Sequence, residues 1–202
     1  MANEEWGPLA ALIGDWEGTA GLDVAFSHER NQVWETPFSE KVTMKPFGPV
    51  QNGSQTLFGL DYKTAMWRGS EENPFHTEVG YWLWDAATGE VLRCFVVPRG
   101  IALVAGGTTT ADATSFTMTA GDADTPYRIA ENTYLAARAS TVRYESNITI
   151  NADGSWSYDE VTTLRMVEID GEFAHTDRNT LVRVSPSETT EVRSVQCSTL
   201  VP

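Results

Sequence analysis

Basic residues are scarce in this sequence. Lys and Arg number 14 against 28 Asp and Glu, giving a net charge of -14 over 202 residues. That balance argues against partners that present phosphates, whether nucleic acid or anionic membrane, because these need Lys and Arg. The acidic residues are scattered rather than blocked, which reads as a solvated surface. Cysteine is nearly absent: Cys94 and Cys197 form no C-x-x-C pair, no zinc set and no haem-attachment motif. Two free thiols suit a reducing compartment, and the cytoplasm is expected. The stretch from Met1 to Pro8 is polar and acidic, without the basic and apolar regions of a secretion signal. No apolar run is long enough to span a membrane as a helix. P-loop, G-x-G-x-x-G, H-E-x-x-H and G-x-S-x-G patterns are missing, which weakens nucleotide-binding, zinc-protease and hydrolase readings.

What is present is a globular composition, 41% hydrophobic and 21% charged. A chain of this length can bury a sizeable core without staples. Pro8 to Ile13 is the one helical patch, with Leu9, Leu12 and Ile13 on a shared face. Strand patterns then follow in series. They run over Gly14 to Phe26, Val33 to Phe47, Thr56 to Trp67, Phe75 to Asp85, Glu90 to Val97, Ile101 to Thr109 and Thr114 to Ala120. Gly121 to Leu135 reads as a long loop with a helical turn, and Ala139 to Ile150, Ser155 to Ile169 and His175 to Val184 complete the series. Ala86 to Gly89 and Asn151 to Gly154 are hairpin turns.

Short sequential strands joined by tight turns leave a sandwich or a barrel, and the sequential order favours an up-and-down meander. Closure removes its edges. The expected fold is all-β: a closed antiparallel up-and-down barrel of about ten strands, lipocalin- or fatty-acid-binding-protein-like, with a short N-terminal helix. Residues 1–184 form a single ligand-binding domain in this reading, and 185–202 a polar tail. A barrel this wide is not filled by its own side chains, so a cavity is expected.

Three histidines are the main candidates for chemistry. His28 lies in a polar loop and reads as solvated. His76 opens a strand, and the two-residue period puts it with Glu78, Gly80, Trp82 and Trp84. Both faces of that strand are largely apolar, so the period alone does not say which points inward. Gly80 would leave room beside His76 for a bulky planar ligand. His175 shares a face with Asp177, Asn179 and Leu181, and Asp177 could orient its ring. Taken singly, each of these histidines is more often a surface or structural residue. Met166 could line a cofactor pocket or fill a core gap.

The run Leu12-Ile13-Gly14-Asp15-Trp16-Glu17-Gly18 resembles the G-x-W-x-G opening of the nitrobindin family of haem-binding barrels. Pro74-Phe75-His76-Thr77-Glu78-Val79-Gly80-Tyr81 resembles that family's P-[apolar]-H-x-E-x-G-[aromatic] strand. His175 followed by Leu181-Val182-Arg183 resembles its closing segment, and Gly106-Gly107 sits where the family has a glycine after its sixth strand. The resemblance implies a ten-stranded barrel holding non-covalent haem b. It implies His175 as the iron ligand and His76 on the distal side of the pocket. It also implies nitric oxide chemistry, with a peroxynitrite isomerase-like activity that converts peroxynitrite to nitrate. Trp16 would close the barrel base under Arg183. Two departures stand out. The next glycine after Gly18 is Gly21, where the family pattern places one at Ala20, and the spacing from His175 to Leu181 is longer by about a residue. An extra residue not absorbed by a bulge would turn His175 to the other face.

Two other functions fit the residues. One is a metal-free carrier or sensor of a fatty acid or other small apolar ligand, with Arg143 or Arg165 as a carboxylate partner. The other is an enzyme using a histidine–carboxylate dyad, His175 with Asp177 or His76 with Glu78.

Overall fold

The computed structural model describes residues 4–184. The polar tail and Cys197 lie outside the described residues. A 3-10 helix, Glu4–Leu12, leads into eleven strands: β1 Gly14–Ser27, β2 Gln32–Asn52, β3 Gln55–Trp67, β4 His76–Asp85, β5 Glu90–Val97, β6 Ile101–Thr108, β7 Ser115–Ala120, β8 Ile129–Glu131, β9 Ala139–Ile150, β10 Trp156–Met166 and β11 Phe173–Arg183. Each pairs antiparallel with the next around the ring, β5 with β6 and β11 with β1 included, which seals the sheet. Ten strands make this barrel, and the short β8 lies beside the start of β6. The expected meander is therefore observed.

Two local elements differ from expectation. The N-terminal helix starts earlier, at Glu4, and is 3-10; Gly7 at φ 52 divides it into two short pieces just before Pro8, which has no N–H to donate. The stretch from Gly121 to Leu135 contains β8, which was not expected, besides its expected helical turn: the start of α1, Thr133–Arg138, whose first turn is capped by the Asn132 side chain accepting from the Leu135 N–H at 3.0 Å.

Side chains of alternate residues point into the barrel, so register decides what the lumen contains. β11 runs without a break against β10, from Trp156 opposite Leu181 to Leu164 opposite Phe173. His175 therefore shares the inward face of Asn179 and Leu181. The irregularity lies in β1. Gly18 pairs with Glu40 and Gly21 with Phe38, so three steps of β1 match two of β2. Against β11 the same strand takes five steps to its partner's four, from Glu17 to Leu22. This is a β-bulge at Thr19–Ala20, both exposed. It absorbs the additional residue and reverses the alternation: Trp16 and Gly18 face inward before it, Gly21 and Asp23 after it.

The base of the barrel is sealed by the helix. Leu9 and Leu12 are fully buried, and the Trp16 indole donates to the Leu12 carbonyl at 2.8 Å. Arg183 stacks on the Trp16 ring at 4.2 Å and donates to the carbonyls of Ala11 (3.1 Å) and Ile13. A Cβ at Gly14 would lie 2.4 Å from that guanidinium, so glycine makes the stack possible. Above it, Trp156 meets Trp16 and Trp82 edge to face, at 6.2 and 6.3 Å between ring centroids. These rings fill the lower half of the tube. The cavity expected from barrel width is thereby confined to the half away from the helix.

Replacing Arg183 with Ala should lower stability by roughly 1–3 kcal/mol in urea denaturation, since it removes a cation–π stack and the caps on two carbonyls. Lys at this position should recover only part of the loss, because it lacks the planar fork. Full recovery by Lys would show that charge alone matters here.

Candidate functional site

The upper half of the barrel holds a partly open cavity of about 170 Å³. That is smaller than the usual range for small-molecule sites. One wall is apolar, from Met66, Phe75, Phe95, Val97, Leu103 and Leu164, with Leu135 contributed by α1. The other is polar and carries both candidate histidines, His76 and His175, with Asp23, Glu78, Glu160 and Asp177.

Beneath the cavity lies a buried ionic cluster. The Arg93 side chain on β5 is only 4% exposed. It donates through Nη2 to Glu78 Oε2 (2.7 Å) and to the Tyr62 hydroxyl (2.9 Å), and through Nη1 to Glu160 and the Tyr144 hydroxyl. Four aromatic rings surround the guanidinium, the nearest being Phe95 at 4.7 Å and Trp82 at 5.2 Å. A neighbouring cluster centres on Glu40, which accepts from Thr64, Tyr158 and Asn179 at 2.7–2.9 Å. Burial pushes the Glu40 carboxyl above its usual range despite these donors.

Glu78 links the ionic cluster to the cavity. Its Oε2 takes the Arg93 and Tyr62 bonds, while its Oε1 meets Nε2 of His76 at 3.1 Å. Burial alone would raise its carboxyl, but the Arg93 charge and the His76 and Tyr62 contacts prevail and hold it at about 2. The His76 imidazole is raised, burial opposing and Glu78 winning. His175 is held in the same way by a different carboxylate. Asp23 Oδ1 lies 2.6 Å from its Nε2, and Asp177 Oδ2 lies 3.4 Å away. Burial works against charge on His175, yet the Asp23 bond and the Asp177 charge raise it. Asp177 is pushed up to about 7 by burial and the nearby Asp23 and Glu160 charges, against the pull of His175. Asp23 falls below its usual range because the His175 contact outweighs its burial.

A sealed ten-stranded meander with a Trp16–Arg183 base and a histidine-bearing cavity matches a known domain type. Residues 5–183 match the family described as the THAP4-like, heme-binding beta-barrel domain. The chain belongs to that family, the nitrobindin family. A crystal structure of Rv2717c from M. tuberculosis has the same fold, at a TM-score of 0.60 and 19% identity over 88% of this chain and 95% of that one. A search of curated proteins returned no match.

Against the nitrobindin-family pattern, the structure brings His76 and His175 into one cavity and leaves His28 outside, its side chain 60% exposed. Met166 is not in the cavity wall. It is buried at the far end of β10 opposite Ala139, two residues beyond Leu164, the last residue of that strand in the cavity wall. Gly80 faces inward, but the room it leaves is for backbone: a Cβ there would lie 1.9 Å from the Cys94 carbonyl of β5. Gly106 and Gly107 fall inside β6 rather than after it. Arg143 and Arg165 face outward, in ion pairs with Asp122 and Glu145 and with Glu172 respectively. The arginine buried inside the barrel is Arg93, with Arg99 exposed at the cavity edge, and sequence reasoning missed both along with Asp23, Glu40 and Glu160. The available signal was a charge at inward parity between apolar residues, as in Val91-x-Arg93-x-Phe95 and Phe38-x-Glu40-x-Val42.

Replacing Arg93 with Met should cost about 3–5 kcal/mol in urea denaturation at neutral pH, because Glu78 and Glu160 would remain buried without their cation. Replacing all three together (Arg93→Met, Glu78→Gln, Glu160→Gln) should cost less than Arg93→Met alone; an equal or greater cost would contradict the ionic reading. Glu78 titrates at about 2 in the fold against an ordinary value of 4.5. Its contribution is therefore complete above that ordinary value and lost as acid protonates the folded form. Glu78→Gln should flatten this part of the acid limb of the stability curve.

Proposed function

We propose that the cavity binds haem b without covalent attachment, with His175 as the iron ligand and His76 on the distal side. The observation that carries this is the lumen-facing His175 beside an apolar wall, in a chain of a haem-binding barrel family. The residue types fit the group: an imidazole to ligate iron, and dry surface from Met66, Phe75, Phe95, Val97, Leu103 and Leu164 across the cavity, although Nε2 of His175 is held by Asp23 and the cavity would have to widen to admit a macrocycle. When bound, ferric haem would supply a reactive iron for nitric oxide and for isomerising peroxynitrite to nitrate, the chemistry implied by the family resemblance. The chain's own part is to orient and exclude. Glu78 fixes the His76 ring, and Arg93 and Tyr62 fix Glu78. The packed tryptophans below keep water from entering through the base.

A fatty-acid carrier is less well supported. The buried cation, Arg93, is already engaged by two glutamates, Arg99 reaches the cavity only from its exposed edge, and the cavity adds Asp23 and Asp177. A reducing compartment such as the cytoplasm suits the free thiol of Cys94.

Titration of the purified protein with haemin should give a shifted Soret band with a saturable end point. His175→Ala should abolish the histidine-ligated spectrum, while His76→Gln should keep it. An unchanged spectrum in His175→Ala would overturn the assignment.

A further inference from the structure

The nitrogen of an imidazole that reaches farthest from the backbone is Nε2, and it is the one best placed to meet an iron in a flat macrocycle that must clear the residue's own Cβ. In histidine metal sites the carboxylate partner usually sits on the other ring nitrogen, where it orients the ring and leaves the ligating nitrogen free. This cavity shows the reverse. Nε2 of His175 is taken by Asp23 at 2.6 Å, with Asp177 at 3.4 Å, while Nδ1 has no partner among the described residues.

Asp23 reaches that position because of the bulge at Thr19–Ala20. Without the reversed alternation, residue 23 would face solvent; with it, Asp23 is 5% exposed and lies on β1 directly opposite Asp177 of β11. The bulge and the carboxylate form one device: an additional residue in β1 delivers an acceptor to the nitrogen that would hold iron.

Resting on the haem reading above, we propose that Asp23 is a specificity-determining residue that competes with iron for Nε2 of His175. Coordination would require His175 to give up the Nε2–H···Oδ1 bond: a neutral ring moves its proton from Nε2 to Nδ1, or an imidazolium loses its Nε2 proton to Asp23 or water and keeps the one on Nδ1, and either way the Nε2 lone pair would be free to hold iron. No electron changes hands in this exchange. Asp23 thereby sets how strongly a ligand must bind before the histidine is released. Asp177, at the longer distance, has a smaller share.

The test uses the full chain. Haemin affinity is measured by Soret titration, and axial ligation by electron paramagnetic resonance, for wild type, Asp23→Ala, Asp23→Asn, Asp177→Asn and His175→Ala. Asp23→Ala should bind haemin at least about tenfold more tightly than wild type, with the histidine-ligated signature intact. Asp23→Asn, which keeps a weaker acceptor and the same shape, should fall between them, and Asp177→Asn should change affinity less. If Asp23→Ala fails to fold by near-ultraviolet circular dichroism, Asp23→Asn carries the comparison. Wild type that binds poorly while an Asp23 variant binds through His175 would support the proposal. Unchanged or weaker binding in the Asp23 variants, with His175→Ala still losing the signature, would overturn it and leave the haem reading standing. No histidine-ligated spectrum in any variant would overturn both.

Discussion

A guanidinium sealed inside a barrel must be neutralised where it stands, and Arg93 meets that constraint with side chains from strands all around the lumen. Glu78 comes from β4, Tyr62 from β3, Tyr144 from β9 and Glu160 from β10. The cluster ties both sides of the sheet together across its centre. It also divides the interior: tryptophans fill the side toward the helix, and the cavity begins where Glu78, Glu160 and Tyr144 form its lining. Burying such charges is costly unless every partner is in place, so the cluster favours one arrangement of these strands over near alternatives.

The same constraint reaches the site through Glu78. One of its oxygens belongs to the ionic cluster and the other to His76, so the orientation of a cavity residue depends on a guanidinium outside the cavity wall. His175 is organised independently, by Asp23 of β1 and Asp177 of its own strand. Two histidines in one pocket thus sit in different electrostatic settings. One is braced from below by a fixed network, the other gripped from the side by carboxylates that crowd one another.

Much of the fold was legible in the sequence, because alternation and turn residues report directly on a meander. Asn151 to Gly154 and Ala86 to Gly89 mark hairpins that the structure contains. The Trp16–Arg183 base followed from the family resemblance, and the stack at 4.2 Å bears it out. The site was only partly legible. His76 and His175 were found, but the longer spacing near His175 raised a question of register that the closing strand alone could not answer. The answer lies in β1, more than a hundred residues away, where Thr19–Ala20 bulges while β11 stays regular. A bulge is a property of paired strands, and two exposed small residues do not announce it. Gly80 was misread for a related reason: a glycine signals close approach without saying whether ligand or backbone approaches. Arg93 and Glu40 were passed over because single charges in apolar strands resemble surface positions until closure shows which face is inside.

The nitrobindin-type barrel therefore shapes its cavity-bearing half through one bulge in β1 and one buried cation. The most direct measurement is a crystal structure of the protein loaded with haemin. The expected result is a macrocycle in the upper cavity, ligated by Nε2 of His175, with the Asp23 contact to that nitrogen broken. Haemin lodged instead on the exposed apolar outer face around Val79, Tyr81, Val96 and Val104, or ligated inside by another residue with the Asp23–His175 pair intact, would contradict it.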